Sequence, residues 1–385
     1  MSGTSSYYQE LIKTRSKTSE KVKEVVKREI DPIYKELAGR IEEGLEDDKY
    51  MPHILEKLMT LEQARIAREL PDQYRAPETG RLEVSEEFAK KLGMDKKMVD
   101  KYIQELYDKG VLFPTRSGPQ MPRTPNQFKD AATNNPKVHG PLGREYLELF
   151  DAFDMQEERN NARAERFYNQ GGGWRVLPRW RAIKDIPGIL PLEDIRELLK
   201  KEKETISLTN CPCRSYSVSR TCDIPIESCI NFGGGAQYNI SRGSAKKVTL
   251  KEAMDAITQL DKYPVVHLTP NAPGGESRLI CNCHWDCCGS LRVAFVQDKY
   301  KIDEVLVKSR FEAIVDPEKC IACKTCLEMC QFDAIRMNYY PEHGEERSHI
   351  DSQKCMGCGC CVVNCPIGAI TMKTVRPPEY LPAPD

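Results

Sequence analysis

Apolar residues near the N-terminus recur at the three- and four-residue spacing of an amphipathic helix. Within residues 5–50 this stripe comprises Val22, Val26, Ile30, Ile33, Leu37, Ile41 and Leu45. Asp31 followed by Pro32 is typical of a helix cap and a first helical turn, so the pattern predicts two helices that meet there. The stripe can pack into its own core or dock a partner. We favour its own core, because most amphipathic helices pack in that way.

Three further helices and a short strand are predicted between residues 52 and 115. The helices cover 52–70, Ser85–Leu92 and Asp95–Lys109, and the strand covers Val111–Phe113. Glycine follows each of the last two helices, which is a common signal at helix C-termini. The stretch Val84–Met94, followed by Val99, Ile103 and Leu106, resembles a winged-helix or helix-turn-helix domain. The resemblance implies a helical, winged-helix-like domain over 51–118, preceded by N-terminal helices over 1–50.

The pattern changes beyond residue 118. Residues 119–190 are rich in proline, glycine and asparagine, so we expect a connector with one helix over Gly143–Arg166. Helices and strands are both predicted over 191–300, which indicates an α+β domain. These elements are helix Leu192–Lys203, strand Thr205–Leu208, a helix opened by a Thr249–Glu252 capping box, and strands Val265–Leu268 and Leu279–Ile280. Two of the strands lead into cysteine-rich loops, and loops on a rigid scaffold are common ligand sites.

Cysteine usage narrows the class of protein. All 17 cysteines lie after residue 210, in tight groups that allow thiolates to converge on a metal centre. Mean hydropathy is −0.56, no apolar run is long enough for a membrane span, and Met1–Lys17 lacks an apolar signal region. We therefore expect a cytoplasmic protein with reduced thiols. The net charge of −1 excludes bulk attraction to nucleic acid.

Residues 313–373 contain an internal repeat with a step of 35 residues. Each copy reads Cys-x2-Cys-x2-Cys-x3-Cys; the first holds Cys320, Cys323, Cys326 and Cys330, and the second holds Cys355, Cys358, Cys361 and Cys365. This pattern resembles the bacterial two-cluster ferredoxin family. The resemblance implies a two-cluster ferredoxin domain over 311–374. The proline-rich end of the chain, 375–385, is expected to be a flexible tail. Zinc is a weak alternative, since zinc sites rarely repeat this spacing.

The resemblance also implies two [4Fe–4S] clusters, with the fourth cysteine of each copy serving the other copy's cluster. One cluster would be bound by Cys320, Cys323, Cys326 and Cys365, and the other by Cys355, Cys358, Cys361 and Cys330. Two features depart from the family pattern. Gln331 follows Cys330 where the family usually has proline, and Cys360 is an additional thiol that we expect to be no ligand.

Eight more cysteines form two groups in the middle region. The first comprises Cys211, Cys213, Cys222 and Cys229, and the second comprises Cys281, Cys283, Cys287 and Cys288. Thiolate-only sites favour zinc or iron–sulfur clusters, and Cys-x-Cys and Cys-Cys pairs suit zinc ribbons poorly, so we favour two further [4Fe–4S] clusters. The stretches Cys211–Arg214 and Ile280–Cys288 resemble the middle region of large anaerobe-type ferredoxin proteins. This resemblance implies added clusters in an electron-transfer subunit.

Cysteine order does not determine how these eight residues divide between centres. Adjacent Cys287 and Cys288 point in different directions on most backbones, so they can serve different centres. We expect His284 to lie beside a cluster and outside its ligand set, because eight thiolates already suffice. Arg214 is expected to offset the negative charge of a thiolate cluster, and a solvated arginine is the alternative.

Together these patterns predict a multi-cluster electron-transfer subunit of anaerobic metabolism that is itself non-catalytic. Its protein partner would carry a flavin or a metal, because the chain has no flavin, nicotinamide or P-loop motif. One alternative is a redox-sensing transcription regulator. However, residues 81–115 hold seven basic and seven acidic side chains, whereas phosphate-binding helices need a basic surplus. The other alternative is a reductase whose active site is a cluster in the middle region.

Overall fold

The computed structural model describes residues 18–71, 80–201, 205–272 and 277–382. The N-terminal part is helical, with α1 Glu20–Val25, α2 Pro32–Ile41, α3 Met51–Leu58, α4 Leu61–Glu69, α5 Glu86–Lys91 and α6 Lys96–Asp108. Asp31 caps α2 by accepting a hydrogen bond from the amide of Ile33 at 3.0 Å, which confirms the predicted start. The helix predicted over 52–70 is divided, because Thr60 caps α4. The part of the first predicted helix that precedes residue 18 lies outside the described residues.

A β-hairpin follows α6. Its strands are β1 Phe113–Thr115 and β2 Gly118–Gln120, paired antiparallel. The helix–helix–hairpin order is typical of winged-helix domains, and membership of that class stays a prediction. Arg242 of the middle region donates hydrogen bonds to the carbonyls of Tyr107 at 2.9 Å and Asp108 at 3.1 Å. The C-terminus of α6 is therefore fixed to the middle region.

Residues 119–190 contain more regular structure than the predicted connector. They form α7 Pro125–Thr133, α8 Pro136–Asp154, α9 Glu157–Asn169, β3 Trp174–Leu177 and α10 Trp180–Ile183. Pro125 and Pro136 occupy first-turn positions, where a missing amide proton costs no helical hydrogen bond, so prolines that suggested a connector instead begin helices. Gly143 breaks α8 with a positive φ of 76°.

The middle region is built on a seven-stranded sheet. Its remaining strands are β4 Ile206–Asn210, β5 Glu227–Phe232, β6 Ala245–Val248, β7 Val266–Pro270, β8 Leu279–Cys283 and β9 Leu306–Val307. The strand order is β6-β4-β5-β8-β7-β3-β9, and all neighbours are antiparallel except the parallel pair β3–β9. Its helices are α11 Ile195–Lys201, α12 Pro212–Tyr216, α13 Gly233–Ser241, α14 Leu250–Gln259, α15 Gly289–Val296 and α16 Ile302–Val305. The Thr249–Glu252 capping box opens α14, as predicted.

The C-terminal part is a pair of two-stranded sheets with two short helices. Strand β10 Phe311–Val315 pairs with β13 Ile370–Thr374, and β11 Ile335–Tyr340 pairs with β12 Glu345–Ile350. The helices are α17 Thr325–Met329 and α18 Cys360–Val363. The mixed α+β class is thus confirmed. Among the helices of the described residues, none has the length and apolar content needed to cross a membrane.

Candidate iron–sulfur sites

The cysteine loops of the C-terminal repeat share an unusual backbone. In the first copy Ala322, Lys324 and Asp333 have φ values of 54°, 64° and 50°, and 35 residues later Gly357, Gly359 and Gly368 have φ values of 69°, 75° and 65°. Left-handed backbone is strained for residues other than glycine. The first copy adopts the same left-handed turns without glycine, so the two cysteine loops share one backbone pattern.

Backbone amides point at the sulfur atoms of both fourth cysteines. The amide of Ala334 donates to Sγ of Cys330 at 3.4 Å, and the amide of Ala369 donates to Sγ of Cys365 at 3.2 Å. The hydroxyl of Ser348 also lies 3.1 Å from Sγ of Cys326. Hydrogen bonds of this kind favour the thiolate, which is the form that binds iron. The donor set therefore fits a thiolate-bound cluster.

Charge effects between C-terminal thiols show which of these cysteines lie near one another. Burial raises the pKa of Cys326, and the charges of Cys320 and Cys323 add to this effect. Burial likewise raises the pKa of Cys361, together with the charges of Cys330, Cys355, Cys360 and Cys326. The two ligand sets that the resemblance predicts are named the outer set, which is Cys320, Cys323, Cys326 and Cys365, and the inner set, which is Cys330, Cys355, Cys358 and Cys361. Cys330 thus lies with the cysteines of the other copy.

The inner set lies against the middle region. Gln331 stands where the family usually has proline. Its side-chain amide forms hydrogen bonds to the middle cysteine loop through both its nitrogen and its oxygen. Its Nε2 donates to the carbonyl of Cys283 at 3.1 Å, and its Oε1 accepts from the amide of Trp285 at 2.7 Å. The departure from the family pattern therefore joins the two cysteine regions.

Apolar residues beside the two sets differ in exposure. Phe332 and Met356 flank the inner set, are 3% and 2% exposed, and pack in one core with the middle-region helix α15. Their counterparts 35 residues away in the repeat, Ile367 and Ile321, flank the outer set and are 41% and 61% exposed. Cys323 of the outer set is also exposed. The outer set is consequently the one that faces solvent.

The sheet brings the middle cysteines to one place. Cys281 and Cys283 lie two residues apart on β8, so their side chains share a face, and Cys229 lies on the adjacent strand β5. Cys211 follows β4 directly and precedes α12, which contains Cys213. Cys288 precedes α15. Strand ends and helix starts thus deliver six thiols to the same region.

Each of these six thiols shifts the pKa of two neighbouring thiols, and these neighbours form a closed ring. Its order is Cys211, Cys213, Cys288, Cys283, Cys281, Cys229 and back to Cys211. Hydrogen bonds with Cys211 and Cys288 lower the pKa of Cys213, whereas hydrogen bonds with Cys281 and Cys288, together with burial, raise that of Cys283. We call this arrangement the six-thiol ring.

The other two middle cysteines lie together, outside this ring. Sγ of Cys222, Sγ of Cys287 and a ring nitrogen of His284 all lie within 4.8 Å of one another. The adjacent residues Cys287 and Cys288 therefore point to different groups. A ring nitrogen of His284, which the sequence placed beside a cluster, thus lies within 4.8 Å of both thiols.

Buried cations lie close to both groups of thiols. Arg214 donates to the hydroxyl of Ser228 at 2.6 Å and to the carbonyl of Asn282 at 2.9 Å. Burial opposes its charge, but Cys211, Cys287 and Cys229 keep the pKa of its guanidinium above the ordinary value. This supports the predicted electrostatic role of Arg214 over a solvated arginine.

A second cation next to the ring was not found from sequence. Lys129 is buried, its Nζ lies 2.8 Å from Asp154, and its charge helps to lower the pKa of Cys213 after the hydrogen bonds from Cys211 and Cys288. Lys129 is separated from the cysteines by more than eighty residues of chain, and nothing in the local pattern of α7 distinguishes it.

Cys360 is buried between the C-terminal part and the middle region. Its thiol lies 3.0 Å from the carbonyl of Val265, to which it donates. A hydrogen bond with Cys358 and the charge of Arg179 lower its pKa to about 6, against the opposing effect of burial. These contacts give the additional thiol a place in the interface, and its exclusion from the ligand set stays a prediction.

Residues 319–369 match the family model of the 4Fe-4S dicluster domain. The chain therefore contains an iron–sulfur domain of the ferredoxin-like, electron-transfer class at its C-terminal end. Searches of curated proteins and of solved structures gave no match. The match covers most of the repeat that the sequence identified and does not extend to the middle or N-terminal region.

Proposed function

We propose that this protein is a multi-cluster electron-transfer subunit that relays single electrons between its middle region and an external redox protein. The observation that carries the proposal is the pair of hydrogen bonds from Gln331 to the loop containing Cys283 and Trp285. This contact holds the two cysteine regions against each other. Fixed separation is what steady electron transfer between centres requires, whereas a mobile tether would make it intermittent.

The proposed C-terminal ligands are the outer and inner sets, each holding one [4Fe–4S] cluster. The six-thiol ring is proposed to bind iron–sulfur as well, with Arg214 and Lys129 compensating its negative charge. When bound, such clusters accept and donate one electron at a time. The chain's own contribution is to separate the centres, exclude water from the inner set and ring, and present hydrogen-bond donors to the sulfur atoms.

The external partner is proposed to dock on the outer set. Ile321 and Ile367 expose there the same kind of apolar surface that Met356 and Phe332 bury against the middle region. A flavin- or metal-containing oxidoreductase subunit with an apolar face beside its redox centre would fit this surface. We expect both partner and pathway to belong to anaerobic cytoplasmic metabolism.

A DNA-binding role for the winged-helix-like domain is less well supported. On α6, Lys96 pairs with Asp100 at 2.5 Å and Lys101 approaches Glu105 at 3.9 Å, so its basic side chains are partly neutralised on the same helix. Phosphate contacts need an uncompensated positive surface. We infer that this domain contacts protein instead; a salt-resistant, sequence-selective gel shift would contradict that inference.

Anaerobic iron and sulfide analysis, with EPR of the reduced protein, tests the proposed function. We expect clearly more than the roughly eight iron atoms that two [4Fe–4S] clusters supply. Cys355→Ser should remove the EPR signal of one C-terminal cluster and stop electron delivery to a flavoprotein acceptor, with the middle-region signals unchanged. Cys360→Ser is the matched control, and it should retain every signal.

Two outcomes would contradict parts of this proposal. About eight iron atoms accompanied by about two zinc atoms would mean that the middle region holds zinc only. Unchanged delivery by the Cys355→Ser variant despite loss of its cluster would make the C-terminal domain a side branch.

A further inference from the structure

We propose that Cys222, His284 and Cys287 bind a single divalent transition-metal ion of the zinc type, separate from the iron–sulfur ligands. Their three ligand atoms lie within 4.8 Å of one another. Ligands around one tetrahedral ion with bonds of about 2.0–2.3 Å lie roughly 4 Å apart or less, so small side-chain adjustments suffice. Two thiolates and an imidazole form a donor set that zinc accepts readily.

Cys222, His284 and Cys287 form a separate group beside the six-thiol ring. Each member of the six-thiol ring has two thiol neighbours within the ring, whereas the thiol with the largest effect on the pKa of Cys287 is that of Cys222. A four-thiolate cluster here would have to take two cysteines out of the ring. Among the described residues, no further Cys, His, Asp or Glu atom joins this group within the same distance. The geometry therefore favours a six-plus-two division of the middle cysteines over two sets of four.

Local structure holds the three side chains in position. The amides of Cys287 and Cys288 donate to the carbonyl of His284 at 3.2 and 2.9 Å, which forms a tight turn between the two ligands. The carboxylate of Asp286 accepts from the amide of Cys222 at 2.9 Å and from that of Thr221 at 2.7 Å. This carboxylate ties the separate loop of Cys222 to the turn. Such supporting contacts orient metal ligands and are costly to lose.

Burial differs among the three residues. Cys287 is fully buried and His284 is 8% exposed, whereas Cys222 is partly exposed. The solvent side of the group is therefore next to Cys222. Three protein ligands and an accessible fourth position are typical of zinc sites that keep a water or a small ligand, whereas structural zinc sites have four protein ligands. We infer an exchangeable water at that position.

Metal analysis of the full-length protein, prepared anaerobically, tests the site. We expect about one non-iron divalent ion per chain beside the iron, and cobalt(II) supplied in its place should show the d–d absorption of a tetrahedral thiolate site. His284→Ala and Cys222→Ser should each lose the ion and the cobalt bands while the iron content stays at the wild-type value. Cys360→Ser should keep both.

The same measurements can overturn the site. Loss of about four iron atoms in Cys222→Ser, or a wild-type protein with about sixteen iron atoms and no other metal, would place these cysteines on a cluster. Cobalt bands unchanged in His284→Ala would remove the histidine from the ligand set. Cys355→Ser should leave the cobalt bands intact, so failure of this site and failure of the electron-transfer proposal give different results.

Discussion

The inner and outer cysteine sets are built from the same repeat and differ in their surroundings. Both sets use loops with left-handed residues at matching positions, and an amide bonds to the fourth cysteine in each. The inner set is covered by the middle region, whereas the outer set exposes Ile321 and Ile367. Local sequence therefore defines how iron would be bound, and tertiary contacts define which centre faces which partner.

Polar contacts separate the two sets further. Gln331 connects the inner set to the middle loop, and its counterpart in the repeat beside the outer set is the exposed Pro366. Ser348 offers its hydroxyl to Cys326 of the outer set, and its counterpart 35 residues earlier is Ala313, which has no hydroxyl. Each difference replaces one residue at a matched position, so the comparison can be tested by exchanging residues between the copies.

Removing the buried apolar contact should have the largest effect. Phe332 is 3% exposed and its ring centroid lies 6.0 Å from that of Phe295 in α15. Phe332→Ala should lower the free energy of unfolding by roughly 3–5 kcal/mol, because it leaves a cavity between the C-terminal part and the middle region. Anaerobic denaturant unfolding, followed by loss of cluster absorbance, measures this change.

The matched control for that variant is Ile367→Ala. Its side chain is 41% exposed, so we expect a change within about 0.5 kcal/mol. Equal destabilisation by the two substitutions would show that the outer surface is covered as well. The proposed asymmetry between the sets would then be wrong.

Much of the fold could be predicted because its signals are local. Asp31 and Thr249 predicted helix starts because their side chains can cap a helix, and both caps are present. The connector predicted over 119–190 differs from the structure because proline can begin a helix as well as interrupt one, and Pro125 and Pro136 both begin helices. The pairing of β3 from this segment with β7 and β9 joins residues distant in sequence, and no local pattern reports such contacts.

The candidate site could likewise be predicted only where its signals are local. The period of the repeat identified the C-terminal cysteines and the departure at Gln331, but the role of Gln331 depends on a loop nearly fifty residues earlier. Similarly, the cysteine spacing in the middle region identified all eight thiols without dividing them. Their division into a ring and the group with His284 depends on how β5, β8 and α12 meet, which is a property of the assembled sheet.

Exchanging Gln331 for the family's proline should have an intermediate effect. Cys330 has φ −94° and ψ 108°, an extended backbone that tolerates a following proline, so Gln331→Pro can retain the ligand loop. It removes two hydrogen bonds to the middle loop, each worth about 1 kcal/mol. We expect unchanged iron content and a few-fold slower electron transfer between the cysteine regions, measured by rapid-freeze EPR after reduction.

The reverse exchange, Pro366→Gln, provides the control on the outer set. It adds a glutamine at an exposed position and should leave the transfer rate unchanged. If Gln331→Pro also transferred electrons at the wild-type rate, the apolar contact through Phe332 would be sufficient. Gln331 would then have no part in joining the two regions.

The smallest effect is expected at Ser348. Its hydroxyl lies 3.1 Å from Sγ of Cys326, and donation to sulfur stabilises a cluster more when it gains an electron and its negative charge increases. Ser348→Ala should therefore lower the reduction potential assigned to the outer set, by roughly 40 mV if the bond is worth about 1 kcal/mol for a one-electron change. Redox titration monitored by EPR measures this shift.

The reciprocal variant decides whether this hydroxyl distinguishes the two sets. Ala313→Ser places a hydroxyl at the matching position beside the inner set. It should raise the reduction potential of the inner cluster by a similar amount, so the potentials of the two clusters become more alike. If both variants kept the wild-type difference in reduction potential between the two clusters, that difference would be due to solvent exposure instead. Burial of the inner set by Phe332 and Met356, rather than the hydroxyl of Ser348, would then cause the difference in reduction potential that directs an electron toward the exposed outer set.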